Sequence, residues 1–280
     1  MTSFHYTTSK AGVTVEQLLR EQWQGGKKTV HQMRMDKNVT GADGQPIEWK
    51  EPLPEGTVLT FRFSDAQSSY RPETLTKLRV IWEDEHLLAV YKPAGVSVHP
   101  EHSPGTGTLM NEVMGYIVAN GGTYAEHVHR LDQHTAGLLV IAKHPIAKTM
   151  LDRMFEQNRI DRFYTAELEG RLLKPRGTIN MPIGKDRYHA TRRRVSPSGQ
   201  SAVTHFKVLE RLSNSTLVEA QLETGRTHQL RVHFSHLGHP VVGDQLYGSE
   251  TIARGPYKLV ASKIAFEHPI TGASIVLEAE

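Results

Sequence analysis

The stretch His127–His144, HVHRLDQHTAGLLVIAKH, sets His127, His129, Arg130, Asp132 and His134 within eight residues, directly ahead of the apolar run GLLVIA. Potential cations that precede a carboxylate disfavour its acid form, so Asp132 is expected to be ionised. A lone ionised carboxylate can act as a nucleophile or a base. No Ser or Cys motif accompanies Asp132, so it is not a member of a hydrolytic triad. An Asp before a buried strand is also a common turn or cap residue. The residues alone therefore leave two readings open, a turn residue and an active-site Asp in a basic cleft.

Two further segments carry charge in a suggestive pattern. In ETGRTHQLRVHFSHLGHPVVGDQLYG, residues 223–248, the run THQLRVHFSHLG reads as a short helix. Thr227 caps it, Leu230, Phe234 and Leu237 form its apolar stripe, and Gly238 ends it. Arg226 falls at its start, and Arg231 lies off the stripe, free to point into a cleft. A planar guanidinium is the best partner a carboxylate can have. The same segment holds His228, His233, His236 and His239, but no H-E-x-x-H. Arg231 shares a face with His228, which argues against a metal, so these histidines read as lining a polar, phosphate-facing surface. KDRYHATRRR, residues 185–194, contains Lys185, Arg187, Arg192, Arg193 and Arg194 and is followed by VSPSGQ. It reads either as a solvated loop or as a mobile cationic loop that touches phosphates without reading sequence.

Other chemistries are excluded or unsupported. The chain has no cysteine, which removes disulfides, zinc–thiolate and iron–sulfur sites and a Cys nucleophile. There is no P-loop, and GTGTLM lacks the third glycine of a dinucleotide fingerprint. HRLD differs from a kinase catalytic loop by an inserted residue and has none of the companion motifs. MTSFHYTTSK is not a signal peptide, and no apolar run reaches the ~20 residues of a membrane span. The residue types suit a reducing cytoplasm, and a net charge of +3 leans weakly toward a polyanionic partner.

The elements that must position these residues fall into two textures. Within residues 1–63, Val13–Trp23 predicts a short helix capped by Thr14 with Gln17 completing a capping box. NVTGADGQPIEW predicts a hairpin and GTVLTFRF a strand with alternating faces. Ser64–Thr74 is polar and rich in breakers, hence a linker. From Leu78 onward strand, turn and strand lead to a break at Pro93–Gly95. Then come a helix at TLMNEVMGYIV, a strand at GLLVIAKH and a helix opened by Pro145. A strand at RFYTAELEG, a hairpin around Ser213–Ser215, the short helix and two final strands complete the chain. Hairpins outnumber crossovers, so the fold class is α+β with a mixed, largely antiparallel sheet rather than a doubly wound one.

Taken together the segments resemble the RluA-type family of RNA pseudouridine synthases. YKPAGVSVHP, VHRLDQHTAGLLVIAK, RFYTAELEG and TGRTHQLRVHFSHLGHPVVGDQLYG resemble its blocks in order, over about residues 78–278. The resemblance implies a catalytic domain at 71–280, with helices flanking the sheet and a central cleft, after a degenerate N-terminal αL-type RNA-binding-like domain plus linker at 1–70. It implies an isomerase that converts specific uridines of structured ribosomal or transfer RNA by base flipping. Asp132 would be catalytic, Tyr164 would stack on the uracil and Arg231 would pair with Asp132. Arg130, His129, Arg226 and Leu259 would bind substrate, although KLVA stands where the family usually reads ALHA. Lys185, Arg187, Arg192, Arg193 and Arg194 would touch RNA backbone. No cofactor, nucleotide, metal or membrane is implied, and a cytoplasmic monomer is expected. The alternative is an RNA-binding protein on the same fold without catalysis.

Overall fold

The structure, a computed structural model, describes residues 2–63, 66–74, 78–102, 105–252 and 255–279. Its N-terminal part holds β1 (Thr2–Thr7), α1 (Val15–Gln17), α2 (Lys27–Met35), β2 (Val39–Gly41) and β3 (Val58–Phe63). These strands form an antiparallel sheet in the order β1-β3-β2. The Thr14–Gln17 capping box is present, but the helix expected over Val13–Trp23 is a single α-turn that continues as a π-turn, Leu18–Gln22. Phe4, Leu18, Trp23, Val30, Leu59 and Phe61 bury together, with Ile146 from the larger part of the chain among them.

Sequence reading missed β1 and α2 here. The expected hairpin at NVTGADGQPIEW is abbreviated: Gly41 N–H donates to Gln45 O (2.9 Å), and the returning arm meets Thr40 only at Pro46. Proline has no N–H with which to extend a ladder. Of the predicted linker, Ser64 and Asp65 lie outside the described residues, and Ala66–Thr74 forms no helix or strand.

The larger part comprises β4 (Arg79–Glu83), β5 (Leu87–Lys92), α3 (Leu109–Ala119), β6 (Glu126–His127), β7 (Ala136–Ala142), α4 (Pro145–Glu156) and β8 (Ile160–Glu169). It continues with β9 (Arg176–Asn180), β10 (Ile183–Lys185), β11 (Arg193–Val195), β12 (Val203–Arg211), β13 (Ser215–Leu222), α5 (Gln229–His236), β14 (Leu259–Glu267) and β15 (Ser274–Glu278). Ten of these strands share one sheet, ordered β4-β5-β7-β14-β8-β13-β12-β9, with β15 on β14 and β6 on β7. Among the described residues its pairings are antiparallel except β7 with β14. This is the mixed, largely antiparallel sheet the sequence predicts.

LLAVYK and AGLLVIA lack polar alternation because both faces of their strands are covered. Leu88, Val90, Leu139 and Ile141 pack with α3 and α5 through residues such as Val113 and Phe234. The alternate residues Leu87, Ala89, Leu138 and Val140 pack on the other face with Ala147 and Leu151 of α4.

Two local expectations are corrected. Thr227 does not cap α5; His228 is the N-cap, with φ +59° in the left-handed region and no side-chain cap bond. That reversal turns the preceding residue away from the helix end. Leu237 is 37% exposed, so the buried stripe rests on Leu230 and Phe234, and Gly238 ends the helix at φ +80° as expected. The basic segment is not a free loop, because its ends pair as the β10–β11 hairpin. VSPSGQ is equally ordered: Ser196 N–H donates to Pro182 O (2.8 Å) and Gly199 N–H to Ser196 O (2.9 Å).

Candidate active site

Asp132 sits in the turn between β6 and β7, closed by Thr135 N–H on its carbonyl (3.1 Å). Its partner comes from α5, 99 residues away, where Arg231 Nη1 donates to Asp132 Oδ2 at 2.9 Å. Arg231 is itself gripped by Asp244, with Nε on Oδ2 (2.6 Å) and Nη2 on Oδ1 (2.9 Å). The rings of Tyr247 and Tyr257 lie 4.8 and 4.6 Å from the guanidinium carbon on centroid distance. Forked hydrogen bonds and aromatic faces suit a guanidinium better than an ammonium, so Arg231 is fixed in one orientation. Its side chain is 7% exposed and that of Asp132 is 23%, which leaves the carboxylate reachable from the cavity.

The contacts on Asp132 fall on one oxygen. Oδ2 receives Arg231, lies 3.4 Å from the Tyr257 hydroxyl and 3.8 Å from His228 Nε2, whereas Oδ1 has no hydrogen bond among the described residues. Behind His228, Nδ1 meets the Tyr247 hydroxyl at 2.8 Å, which accepts the Arg193 N–H at 2.9 Å. Burial pushes the His228 pKa down against the opposing pull of Asp132, so the ring is neutral at pH 7. Asp244, Tyr247 and Tyr257 were not read as functional from sequence; the GDQLYG that carries two of them was quoted without a role.

The cations expected from the opening stretch are not what holds Asp132. Burial, then His99, pulls the His127 pKa to about 4, and burial, then Arg162, pulls that of His129 to about 3. His127 bonds the Tyr70 hydroxyl (2.8 Å), and His129 Nε2 accepts the Val140 N–H (3.1 Å). Both are neutral at pH 7. His129 thus anchors β7 and lines the cavity as an uncharged ring, while Arg130 remains exposed at its rim.

Lys92 is a further missed residue. It is fully buried, and its Nζ donates to Pro93 O (3.0 Å), Val96 O (2.7 Å) and Gln133 O (2.9 Å). It thereby ties the Pro93–Val96 turn to the residue next to Asp132. Burial lowers its pKa to about 8 although the Asp132 charge opposes this. The sequence places Lys92 in the block YKPAGVSVHP, just before the break at Pro93–Gly95, but assigns it no role.

Asp132 and Arg231 open onto a cavity of about 580 Å³ whose walls include Leu131, Tyr164, Leu222 and Leu259. That volume falls within the ~300–1,000 Å³ typical of small-molecule sites. Tyr164 and Leu259 are 7% and 4% exposed and lie on neighbouring strands, with Tyr164 opposite Ala261 and Leu259 opposite Ala166. Burial raises the Tyr164 pKa, so it presents a neutral phenol. Arg226 also lines the cavity, but its Nε donates to Ser201 O (2.9 Å).

The hairpin cations are not in the cavity wall. Lys185, Arg187 and Arg194 are exposed on β10–β11, Arg192 pairs with Asp186 (2.7 Å), and the Arg193 backbone is tethered to Tyr247. The histidines expected to form one polar surface disperse. His233 is buried between Thr204 Oγ1 (3.0 Å) and Met181 O (2.9 Å), and His239 bonds Glu169 O (2.8 Å). The protein's own groups occupy those ring nitrogens, because α5 turns His233 inward against β12.

Comparison with known proteins places this geometry. The RNA pseudouridylate synthase family model matches residues 86–236, and that of the RluD ribosomal pseudouridine synthase N-terminal domain matches residues 2–59. An uncharacterized RNA pseudouridine synthase of Bacillus subtilis, YhcT, is 49% identical over 226 residues, 78% of this chain and 74% of its own. The ribosomal large subunit pseudouridine synthase D of Nitrosomonas europaea is 38% identical over 229 residues, 77% of this chain and 65% of its own. Among solved structures, human RNA pseudouridylate synthase domain containing 1 superposes with a TM-score of 0.64 at 26% identity, covering 75% of this chain and 86% of its own. A ten-stranded mixed sheet, a carboxylate presented at a cavity and matches of this extent lead to one conclusion: the chain belongs to the RNA pseudouridylate synthase family, isomerases that act on RNA.

Proposed function

We propose that Asp132 is the catalytic carboxylate that converts uridines of ribosomal RNA into their carbon-linked isomer. The observation that carries this is the division of labour on its two oxygens: Oδ2 receives Arg231 and the Tyr257 hydroxyl, and Oδ1 has no hydrogen bond among the described residues. A charged, oriented carboxylate with one unengaged oxygen is what attack on the ribose, or removal of its proton, demands.

The target base leaves its stack, at a cost of a few kcal/mol, and enters between Tyr164 and Leu259. Arg130 at the rim fills the space it vacates. Asp132 promotes cleavage of the bond from the anomeric carbon to nitrogen 1. The uracil turns, carbon 5 bonds to the anomeric carbon, and the proton on carbon 5 departs to solvent by way of the Tyr164 hydroxyl. Nitrogen 1 takes up a proton as carbon 5 loses one, so the product keeps the composition of uridine, no electrons are gained or lost, and the reaction needs no redox partner. Arg226, with Lys185, Arg187, Arg192, Arg193 and Arg194 of the hairpin, contacts backbone phosphates, and His129 stiffens the wall. Residues 1–70 form the RNA-binding-like domain and 71–280 the catalytic one. A relative named for the ribosomal large subunit favours ribosomal over transfer RNA. We place the enzyme in the cytoplasm as a monomer.

The test is to incubate the protein with chelator and unmodified total RNA and map new pseudouridines at single-nucleotide resolution. Discrete sites are expected with wild type and none with Asp132→Ala, whose RNA affinity stays within a few-fold. RNA binding without any Asp132-dependent site would mean a catalytically silent binder on the same fold. Loss of RNA binding in Asp132→Ala would make Asp132 structural.

A further inference from the structure

We propose that Arg162, at the end of the cavity it shares with Phe155 and Gly225, is a phosphate subsite that takes the backbone phosphate of the nucleotide whose base lies on Tyr164. This rests on the reading of the cavity as a uridine site.

Of the cavity's other arginines, Arg130 sits exposed at the rim, and Arg226 and Arg231 are committed. Arg231 spends three N–H groups on Asp132 and Asp244, and Arg226 spends its Nε on Ser201 O. His129 and His228 are neutral. Arg162 differs: it lines the cavity, and its Nε is closed off from solvent with no acceptor. Its guanidinium makes no hydrogen bond and no ion pair among the described residues, and its carbon lies 5.4 Å from the centre of the Phe155 ring. Glu156 lines the same end but is exposed and forms no ion pair with it. Because the Nε is sealed, an anion that enters the cavity meets the two Nη groups, which have no acceptor among the described residues.

The surroundings are shaped to hold this group in place. A Cβ at position 225 would stand 2.7 Å from Arg162 Nη1, so the guanidinium lies across a stretch of backbone that only glycine leaves bare. Arg162 and Tyr164 are two apart on β8 and share one face, which separates them by roughly 6.7 Å along the strand. That span matches the reach from a nucleobase across its ribose to a phosphate. A guanidinium holds a phosphate through two parallel N–H···O bonds.

The placement also suits the reaction. The uracil must turn after the glycosidic bond breaks, so tight contacts to the base would resist catalysis. A grip on the phosphate holds the ribose in register with Asp132 while the base is free to rotate.

The test follows the arginine Nε–H resonances of the ¹⁵N-labelled full-length protein during titration with uridine 3′-monophosphate, uridine 5′-monophosphate, inorganic phosphate and uridine. The Arg162 signal is identified by its loss in Arg162→Lys. We expect a saturable shift of that signal with at least one nucleotide and with inorganic phosphate, none with uridine, and none of the Arg231 signal with inorganic phosphate. Arg162→Lys should bind the nucleotide at least tenfold more weakly. Arg162→Met, which keeps an aliphatic stem against Phe155, should lose the preference for nucleotide over uridine. No saturable shift at Arg162, or an equal shift with uridine, overturns the subsite, and the wild-type titration decides this even if a variant fails to fold. Asp132-dependent pseudouridine without a shift at Arg162 removes the subsite alone. A shift at Arg162 with no pseudouridine formed in any RNA keeps the subsite and removes the catalytic reading.

Discussion

Asp244→Asn separates positioning from catalysis in this site. Asp244 is 2% exposed and accepts two of the three hydrogen bonds that Arg231 makes to carboxylates. The substitution keeps the shape, removes the charge and puts an amide N–H₂ where one acceptor stood, facing another donor. Breaking a buried ion pair from one side costs about 3–5 kcal/mol. Because Asp132 and one amide oxygen still face the guanidinium, a loss near the low end, about 3 kcal/mol, is expected. Asp132→Asn, by contrast, leaves the Asp244 fork intact and removes one charge-assisted bond at a partly exposed group, so about 1 kcal/mol is expected. The catalytic effects run in the opposite order. Asp132→Asn abolishes turnover. Asp244→Asn lets Arg231 drift from Oδ2, and losing about 2.7 kcal/mol of transition-state stabilisation lowers kcat about 100-fold with KM little changed. Urea denaturation gives the stabilities, and single-turnover assays on the mapped RNA give the rates. An Asp244→Asn protein within about 0.5 kcal/mol of wild type and with undiminished kcat would refute the reasoning. Arg231 would then be held by its two tyrosine rings, and the carboxylate fork would be incidental.

Three further outcomes are expected. Tyr164→Phe, which removes a hydroxyl with no partner among the described residues, should stop after the new carbon–carbon bond and accumulate a product that keeps the carbon 5 proton. Full activity would remove that role. Gly137→Ala should cost several kcal/mol or abolish soluble expression, because Gly137 has φ +119° and its Cβ would stand 2.3 Å from Ala261 O. A melting temperature near wild type would show that the strands can part there. Stability should also fall in acid. His127 and His129 bind protons near pH 6.5 when unfolded but near 4 and 3 when folded, and burial holds His144 well below its ordinary value. The folded state therefore carries fewer protons, so stability is complete above about pH 6.5 and declines as pH falls through about 4. Urea midpoints that stay flat from pH 7.5 to 5 would contradict this.

The fold was legible where burial is two-sided or periodicity is long. GLLVIA, RFYTAELEG, the hairpin around residues 213–215 and the helices at 109–119 and 145–156 announce themselves through apolar runs, alternation or caps. β10 and β11 did not, because each has three residues and its stability comes from Tyr247 and the neighbouring turn rather than from its own pattern. Asp132 and Arg231 were legible as a carboxylate and a cation, but the reason for their pairing was not. Sequence proximity pointed to His127 and His129 as the charges on Asp132, whereas burial strips both of charge. The compensating charge comes from Arg231, with the neutral His228 and Tyr257 beside it, groups that only the fold brings near. Buried anchors such as Asp244 and Lys92 are silent for the same reason: their roles depend on what surrounds them, not on their neighbours in sequence.

The location of the cleft follows from one weak seam in the sheet. β7 and β14 pair in parallel over only two residue pairs, Val260 with Ala136 and Ala261 with Gly137. On the far side β14 pairs at length with β8, placing Tyr164 opposite the same Ala261. One half of the sheet thus carries Asp132, four residues ahead of Ala136, and the other half carries Tyr164 and Arg162. β14 supplies Leu259 one residue before the join. A longer parallel ladder would close the gap with backbone and leave no cavity. No pairing at all would let the halves move apart and blur the distance from carboxylate to aromatic ring. Gly137 is the residue that permits the close contact, since any side chain there would strike the backbone of Ala261. The short seam therefore sets the width of the site, and Arg231, reaching across from α5, holds Asp132 at its edge.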